Sequence, residues 1–491
     1  MRYLCAHVKL KCACRLCSSG QSPFPGPAEQ ARACIYSRQS TALPKNGQVA
    51  KLHMTKVAVT GTQYCGKTMF LTSLLWQLEE LDETRFHLPD GVAVRGFRPQ
   101  NVRERDEVFP LNRFRNVLAR EYKWPEKTKD TYHARYGFHH SGRWRIRSRH
   151  TVEFLDLPGE RIADVAMVVH KDYDEWSDHL LDHLSQDTFG REVAAQFRTA
   201  AAKPGASARD VVLAYRLALA RLILAYKPLV SPSVFFLDRT GDLARDEDET
   251  KLAESRRCGL DEEREFAPLP RDVRDANPEL ADEMQRHYRE YRREVVLPLF
   301  RHLMSAQSLV VLIDIPSLLM AGDQRFWDER QIVVDLLRAM CSDTNSARIL
   351  RTLRLKSALK RVSFVASKSD LVLEDDLREG RLLALLRSMN TRAAQQIWPS
   401  VEVRWFTCSA CVSTRPGSRP NTLIGQTQPG PYTSERYSAE VQVSRLPEEW
   451  PQAWKLGDFR YRHFWPRVPE NFMIPPRHRN LDDIFKFAVL G

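Results

Sequence analysis

Residues Gly61-Thr62-Gln63-Tyr64-Cys65-Gly66-Lys67-Thr68 read G-x-x-x-x-G-K-T, directly after the apolar run Val57-Ala58-Val59 and directly before an amphipathic segment. No other feature constrains the fold as tightly, because this spacing demands a strand, a tight phosphate-cradling loop and a helix in succession. Gly61 and Gly66 let successive backbone N–H groups curl around a β-phosphate, which makes Gly61, Cys65, Gly66 and Met69 candidate backbone contacts. Lys67 is expected to reach the β/γ oxygens and also serves as a candidate catalytic group. The Thr68 hydroxyl is a candidate Mg²⁺ ligand. Leu71, Leu74, Leu75 and Leu78 recur at i, i+3, i+4 and i+7, so the segment after the loop should bury one helical stripe.

Three later segments supply what a nucleotide site still needs. Asp156-Leu157-Pro158-Gly159 ends the apolar run Val152-Glu153-Phe154-Leu155 and has the D-x-x-G form. Asp156 would hold Mg²⁺ through water, and the Gly159 N–H would meet a γ-phosphate oxygen. Ser367-Lys368-Ser369-Asp370 matches [N/T/S]-K-x-D after a further apolar run. A carboxylate there can accept hydrogen bonds from guanine N1 and N2, a donor pair adenine lacks, so Asp370 argues for GTP over ATP, with the Lys368 stem lying along the base plane. Ser409-Ala410 stands where a backbone N–H would contact the guanine O6.

Charge and cysteines bear on partners and compartment. Of the formal net charge of +12, residues 1–54 carry +7, from eight Lys/Arg against Glu29 alone, so the body is only mildly basic. Nucleic acid is therefore not expected as a partner. Arg143, Arg145, Arg147 and Arg149 alternate as one solvated face of a strand would. Five of the ten cysteines, Cys5, Cys12, Cys14, Cys17 and Cys34, also lie in this leader. Cys12-x-Cys14-x-x-Cys17 has no matching second cluster of the kind zinc modules use. The leader reads as a targeting peptide, an unfolded extension, or a start placed upstream of Met54. The other cysteines show no disulfide framework, which favours a reducing compartment. The most apolar stretch, Leu309–Ile313, is stopped by Asp314 and is far short of the ~20 residues a spanning helix needs.

The rhythm along the chain divides it into a leader (1–54), a first nucleotide-domain part with a switch region (55–164), a helical insertion (165–305), a second nucleotide-domain part (306–415) and an α+β tail (416–491). Strands expected at Leu309–Ile313, Val362–Ser367 and Val401–Thr407 alternate with helices at Asp323–Met340 and Leu377–Met389. That alternation predicts an α/β, mostly parallel sheet with nucleotide at the carboxyl ends of its strands. One helix is expected over Leu280–Leu303. A Gly/Pro/Ser/Thr-rich link from Thr414 to Tyr432 precedes strand-like residues 437–445 and a final helix capped by Asn480.

The chain resembles the YcjX-like family of bacterial stress-associated P-loop GTPases. The resemblance is carried by VAVTGTQYCGKT (57–68), Trp124-Pro125-Glu126-Lys127-Thr128, FLDLPGER (154–161), VVLIDIPSLLMAG (310–322), Ala366–Asp370, Gly457-Asp458-Phe459-Arg460 and Leu481-Asp482. It covers residues 55 to 490. It implies a Ras-like GTPase core, a helical insertion, a small β-containing C-terminal domain, and GTP/GDP binding with Mg²⁺ and slow hydrolysis. The chain departs from the usual motifs in two places. Ser367 stands where Thr or Asn is usual, and Glu160 stands where many GTPases place a water-orienting Gln.

The leading expectation is thus a GTP-hydrolysing switch with Glu160 as its local catalytic candidate and Thr128 as its candidate switch threonine and metal ligand. A second reading is a nucleotide-dependent scaffold that barely hydrolyses GTP. A third, an ATP-using phosphotransferase, is opposed by Asp370. A protein partner would dock on the inserted helices or the tail. The expected location is cytoplasmic, with peripheral membrane attachment left open.

Overall fold

In this computed structural model the structure describes residues 53–491 apart from 89–92, 105, 127–129, 142–146, 171, 187, 227–230, 237–247, 342–358, 428–435 and 468–473. The described residues belong to one compact unit. Residues 1–52 of the leader, with its five cysteines, lie outside the described residues, as do Thr128, Arg143 and Arg145, while His53 and Met54 already belong to the first strand.

The first strand, β1 (His53–Gly61), runs into the P-loop and then α1 (Lys67–Glu80). β2 (Ala93–Pro99), the two-residue β3 (Glu107–Val108), α2 (Leu111–Glu121), β4 (Tyr132–Ser141) and β5 (Arg147–Asp156) follow. After a 3₁₀ turn at Gly159–Val165 come α3 (Tyr173–Leu184), α4 (Thr188–Ala201), α5 (Ala208–Tyr226), α6 (Pro278–Tyr291) and α7 (Leu297–Met304). The sheet resumes with β6 (Ser308–Ile313), then α8 (Asp323–Cys341), β7 (Arg361–Ala366), α9 (Arg381–Ala394) and β8 (Glu402–Thr407). β9 (Thr414–Pro416), β10 (Thr422–Thr427), β11 (Tyr437–Gln442) and the short α10 (Leu481–Phe485) follow, and several shorter helical turns connect these elements.

The large sheet has the order β2-β4-β5-β1-β6-β7-β8, with β3 beside β4. From β5 through β8 all neighbours are parallel, and β4 joins antiparallel to β5 and β2. This is the mixed α/β, mostly parallel sheet that the sequence rhythm predicts. β6 is buried along its whole length because both faces of the sheet are covered. Val57, Val59, Val310 and Leu312 face the stripe of α1 together with Leu481 and Ile484 of α10. Their neighbours Ala58, Leu309, Val311 and Ile313 belong to the core that includes the helices of 173–304 and α8. One-residue alternation thus assigns each β1 and β6 side chain to a face. β9, β10 and β11 form a separate antiparallel sheet. The five cysteines of the described residues are all buried and unbridged. No helix among the described residues is long and apolar enough to cross a membrane.

Three local expectations need correction. The helix expected over 280–303 is interrupted by a π turn at Arg292–Val296, just before Pro298, which cannot donate the next backbone hydrogen bond. The stretch read as a link from Thr414 contains β9 and β10, and Asn421 turns between them in the left-handed region at φ 56°. Asn480 occupies the N-cap of α10, but its side chain does not cap the helix. Its amide donates to the Thr407 carbonyl at 2.8 Å and so ties α10 to the end of β8.

Candidate nucleotide site

The carboxyl ends of β1, β5, β6, β7 and β8 open on a cavity of about 730 Å³. Lys67, Cys65, Gly66, Thr68, Met69, Gly159, Glu160, Lys368, Asp370, Ser409 and Ala410 all line it. Gly61 lies beneath the loop, and Asp156 is fully buried behind Thr68. Thr128 is the one sequence-derived candidate outside the described residues.

The P-loop requires both of its glycines. At Gly61 φ is 141°, and a Cβ would stand 2.3 Å from the Leu312 carbonyl oxygen. Gly66 has φ 94° and precedes the first turn of α1, whose N–H groups face the cavity side of the loop. Lys67 Nζ reaches back across the loop to the Gly61 and Thr62 carbonyls at 3.0 and 2.9 Å. Gly159 approaches from β5 so closely that a Cβ there would meet Lys67 Nζ at 2.3 Å and the Thr62 carbonyl at 2.8 Å. A lysine, backbone donors and a glycine backbone therefore converge at one place, which is what a polyphosphate end requires. The Cys65 thiol is fully buried beneath the loop, where Lys67 Nζ donates to its sulfur at 3.7 Å, and burial pushes it up to about 11 despite the pull of Lys67.

Thr68 Oγ1 lies 3.4 Å from Asp156 Oδ2. A hydroxyl and a buried carboxylate at the mouth of a phosphate cradle are hard oxygen donors of the kind Mg²⁺ takes, so the donor set fits that ion.

At the other end, Asp370 is 8% exposed and anchored by two donors, Ser409 Oγ to Oδ1 at 2.7 Å and the Ser413 N–H to Oδ2 at 3.0 Å. Burial raises its pKa, while the Ser413 and Ser409 hydrogen bonds pull it back. Ser409 is thus a positioner of the carboxylate. Its own N–H donates to the Arg479 carbonyl at 3.2 Å. Lys368 adopts the left-handed conformation and pairs with Asp314 at 2.6 Å. Burial lowers the Lys368 pKa, but Asp314 more than offsets this and holds the ammonium above its ordinary range. Ser367 makes the β6 contacts itself, through its N–H to the Ile313 carbonyl at 2.9 Å and its Oγ at 3.3 Å.

Sequence reasoning missed several cavity residues. Arg325 and Glu329 project from α8, and His463 and Phe464 come from the C-terminal segment, while Asp314 and Ser317, which follow β6, enter only as part of the resemblance. Trp124-Pro125-Glu126, noticed only as part of the resemblance, forms another wall. Trp124 Nε1 donates to the Phe464 carbonyl at 2.9 Å, so that wall and the C-terminal segment are joined. Arg161 is not part of the cavity wall, and its charge acts on the buried Asp164. Asp164 accepts from Ser233 N and Oγ, both at 2.7 Å, and from Tyr291 Oη at 3.0 Å. This links the D-x-x-G turn to the helical part of the chain.

The arrangement is that of a P-loop nucleotide-binding protein. The chain matches the YcjX-like family, DUF463, over residues 55–223 and 263–491. Among solved structures it is similar to the signal recognition particle receptor SRb-GTP/SRX complex from Chaetomium thermophilum. The identity is 11% and the TM-score 0.24, over 74% of this chain and 95% of that one. No curated protein matches the chain.

Proposed function

This chain belongs to the YcjX-like family, and from that membership and the geometry of the cavity we propose that it is a guanine-nucleotide switch that hydrolyses GTP slowly with Mg²⁺. The observation that carries the reading is the placement of Asp370. A buried carboxylate, anchored from β8's loop by Ser409 and Ser413, faces the same cavity as Lys67 and Gly159. Guanine offers N1–H and N2–H to such a group, and adenine does not. Since the Ser409 N–H is engaged with Arg479, the contact to the guanine O6 falls to Ala410.

Lys67 would hold the β/γ oxygens, and the N–H groups of the loop and of Gly159 would surround the phosphates. Thr68 and Asp156 would hold Mg²⁺, which supplies charge neutralisation when bound. Glu160 lines the cavity and is the local candidate for orienting water. A carboxylate beside an anionic phosphate is repelled by it, which supports slow turnover. Arg325 is a further cation in the wall, contributed by α8.

Titration of the purified protein with GTP, GDP and ATP in the presence of Mg²⁺, followed by measurement of phosphate release, tests the reading. GTP and GDP should bind well ahead of ATP, and GTP should turn over slowly. Tight binding with no phosphate release would favour the scaffold reading, and ATP preference would favour the phosphotransferase.

A further inference from the structure

Glu329 is a carboxyl group placed where a phosphate cradle has no obvious use for one. α8 carries it into the cavity wall, where it is only 3% exposed. Its Oε2 accepts a hydrogen bond from Thr62 Oγ1 at 2.8 Å, across 267 residues of sequence. Its Oε1 is buried without a hydrogen-bond partner among the described residues. Thr62 belongs to the phosphate end of the cavity, because its carbonyl holds Lys67 Nζ at 2.9 Å and lies against Gly159. Glu329, Thr62, Lys67 and Gly159 therefore make one packed contact between α8, the P-loop and the D-x-x-G turn.

Such a group cannot be indifferent to an incoming anion. Ionised, it adds like charge at short range in a medium of low dielectric. Protonated, it presents an O–H donor. The charged groups around it are Arg325, one turn earlier on α8, Asp314 at the end of β6, and Lys67 of the P-loop, with the Cys65 thiol nearby. Burial dominates and pushes the carboxyl up to about 7, against the pull of Arg325, Thr62 and Lys67 and with Asp314 adding to the rise.

We propose that Glu329 is a specificity-determining residue for the triphosphate. In its protonated form Oε2 keeps the Thr62 hydroxyl while Oε1–H donates toward the terminal phosphate, so GTP binding takes up a solvent proton that GDP binding does not. The inference rests on the guanine-nucleotide reading above. GDP lacks the terminal charge and leaves the Glu329 equilibrium nearly where it was.

The test is calorimetric titration of the full chain with Mg²⁺ and either GDP or a non-hydrolysable GTP analogue, from about pH 6 to about pH 8. Wild type is compared with Glu329→Gln in buffers of different ionisation heat. Gln keeps an acceptor for Thr62 and a donor for phosphate but does not titrate. The terminal phosphate of the analogue titrates in the same range, equally with both proteins, so the difference between them is the readout. In wild type the ratio of analogue to GDP affinity should fall with rising pH more steeply than in the variant, by up to about tenfold per pH unit. Parallel profiles overturn the inference and leave the proposed function standing. Failure of wild type to bind either guanine nucleotide overturns both. Should the variant not fold, buffer-dependent heats of the wild type decide alone. Proton uptake with the analogue no greater than its own phosphate accounts for refutes the inference.

Discussion

Replacing Asp370 by Asn removes the charge that selects the base while preserving the side chain's shape. In the wild type each carboxylate oxygen already accepts one protein hydrogen bond, from Ser409 Oγ and the Ser413 N–H. Each still has acceptor capacity for guanine. Two charge-assisted hydrogen bonds to N1–H and N2–H contribute roughly 1.5–3 kcal/mol each, so their loss costs about 3–6 kcal/mol. At 1.4 kcal/mol per tenfold, that is roughly 10²–10⁴ in affinity for GTP and GDP. The amide keeps one acceptor and turns its NH₂ toward either a Ser409 hydroxyl that can rotate or the Ser413 N–H that cannot. The less costly orientation keeps the oxygen on Ser413, so the loss in folding stability should stay near 1 kcal/mol. Fluorescent-nucleotide titration with GTP, ATP and xanthosine triphosphate, alongside thermal melts, checks both figures. GTP affinity should collapse, ATP affinity should hardly change, and xanthosine triphosphate, with an acceptor at C2, should gain relative to GTP. A variant that melts like wild type and still binds GTP equally well would refute base recognition by Asp370.

Lys67→Ala should lower GTP and GDP affinity by about 100-fold or more, because the charge held directly over the loop is lost; binding isotherms with Mg²⁺ at wild-type affinity would count against the P-loop assignment. Intrinsic turnover should lie near or below about 0.01 per second, and phosphate release of several per second from the isolated protein would contradict the slow-switch reading. Glu160→Ala should reduce that turnover with binding retained, and an unchanged single-turnover rate would remove Glu160 from the reaction. Glu329 also sets a stability slope: its carboxyl is raised from 4.5 to about 7, so between those values the folded state binds more protons than the unfolded one and stability falls as pH rises. Glu329→Gln should abolish that slope and gain up to roughly 2–3 kcal/mol above neutrality, as denaturant melts would show.

The features legible in the sequence are those encoded locally. Gly61, Gly66, Lys67 and Thr68 act within one short loop, and a run of five apolar residues such as Leu309–Ile313 of β6 announces burial on both faces. Glu329 gave no such signal, because its partner Thr62 lies 267 positions away and charged residues on a helix are ordinarily solvated. His463 and Phe464 were hidden for the same reason, since no periodicity marks a segment without regular structure. Other features were legible but ambiguous. Gly417 and Asn421 serve a hairpin here, yet the same composition marks a linker. Asn480 sits where a capping residue belongs, and only the nearness of the Thr407 carbonyl shows why its amide is used elsewhere.

Because the cavity is walled by pieces far apart in sequence, a change at the phosphates is not confined to the P-loop. The segment before residue 127 is held at both its chain and its ring: Arg436 donates to the Tyr122 carbonyl at 2.6 Å, and Trp124 donates to the Phe464 carbonyl at 2.9 Å. Arg436 in turn lies 3.9 Å over the Trp465 ring, and the Trp465 N–H is bonded to the Gln426 carbonyl of β10 at 2.8 Å. Each such contact contributes about 1 kcal/mol, so together they restrain Tyr122–Glu126 by a few kcal/mol. Displacement of that wall by more than about an ångström must either break them or carry residues 461–465 along. The second sheet is built to resist the latter, since Phe464 packs so tightly on Gly425 that a Cβ there would stand 2.5 Å from its ring. The geometry therefore couples the wall of the nucleotide cavity to β10 through rigid contacts, and α8 does the same for the helical face through Glu329 and Thr62.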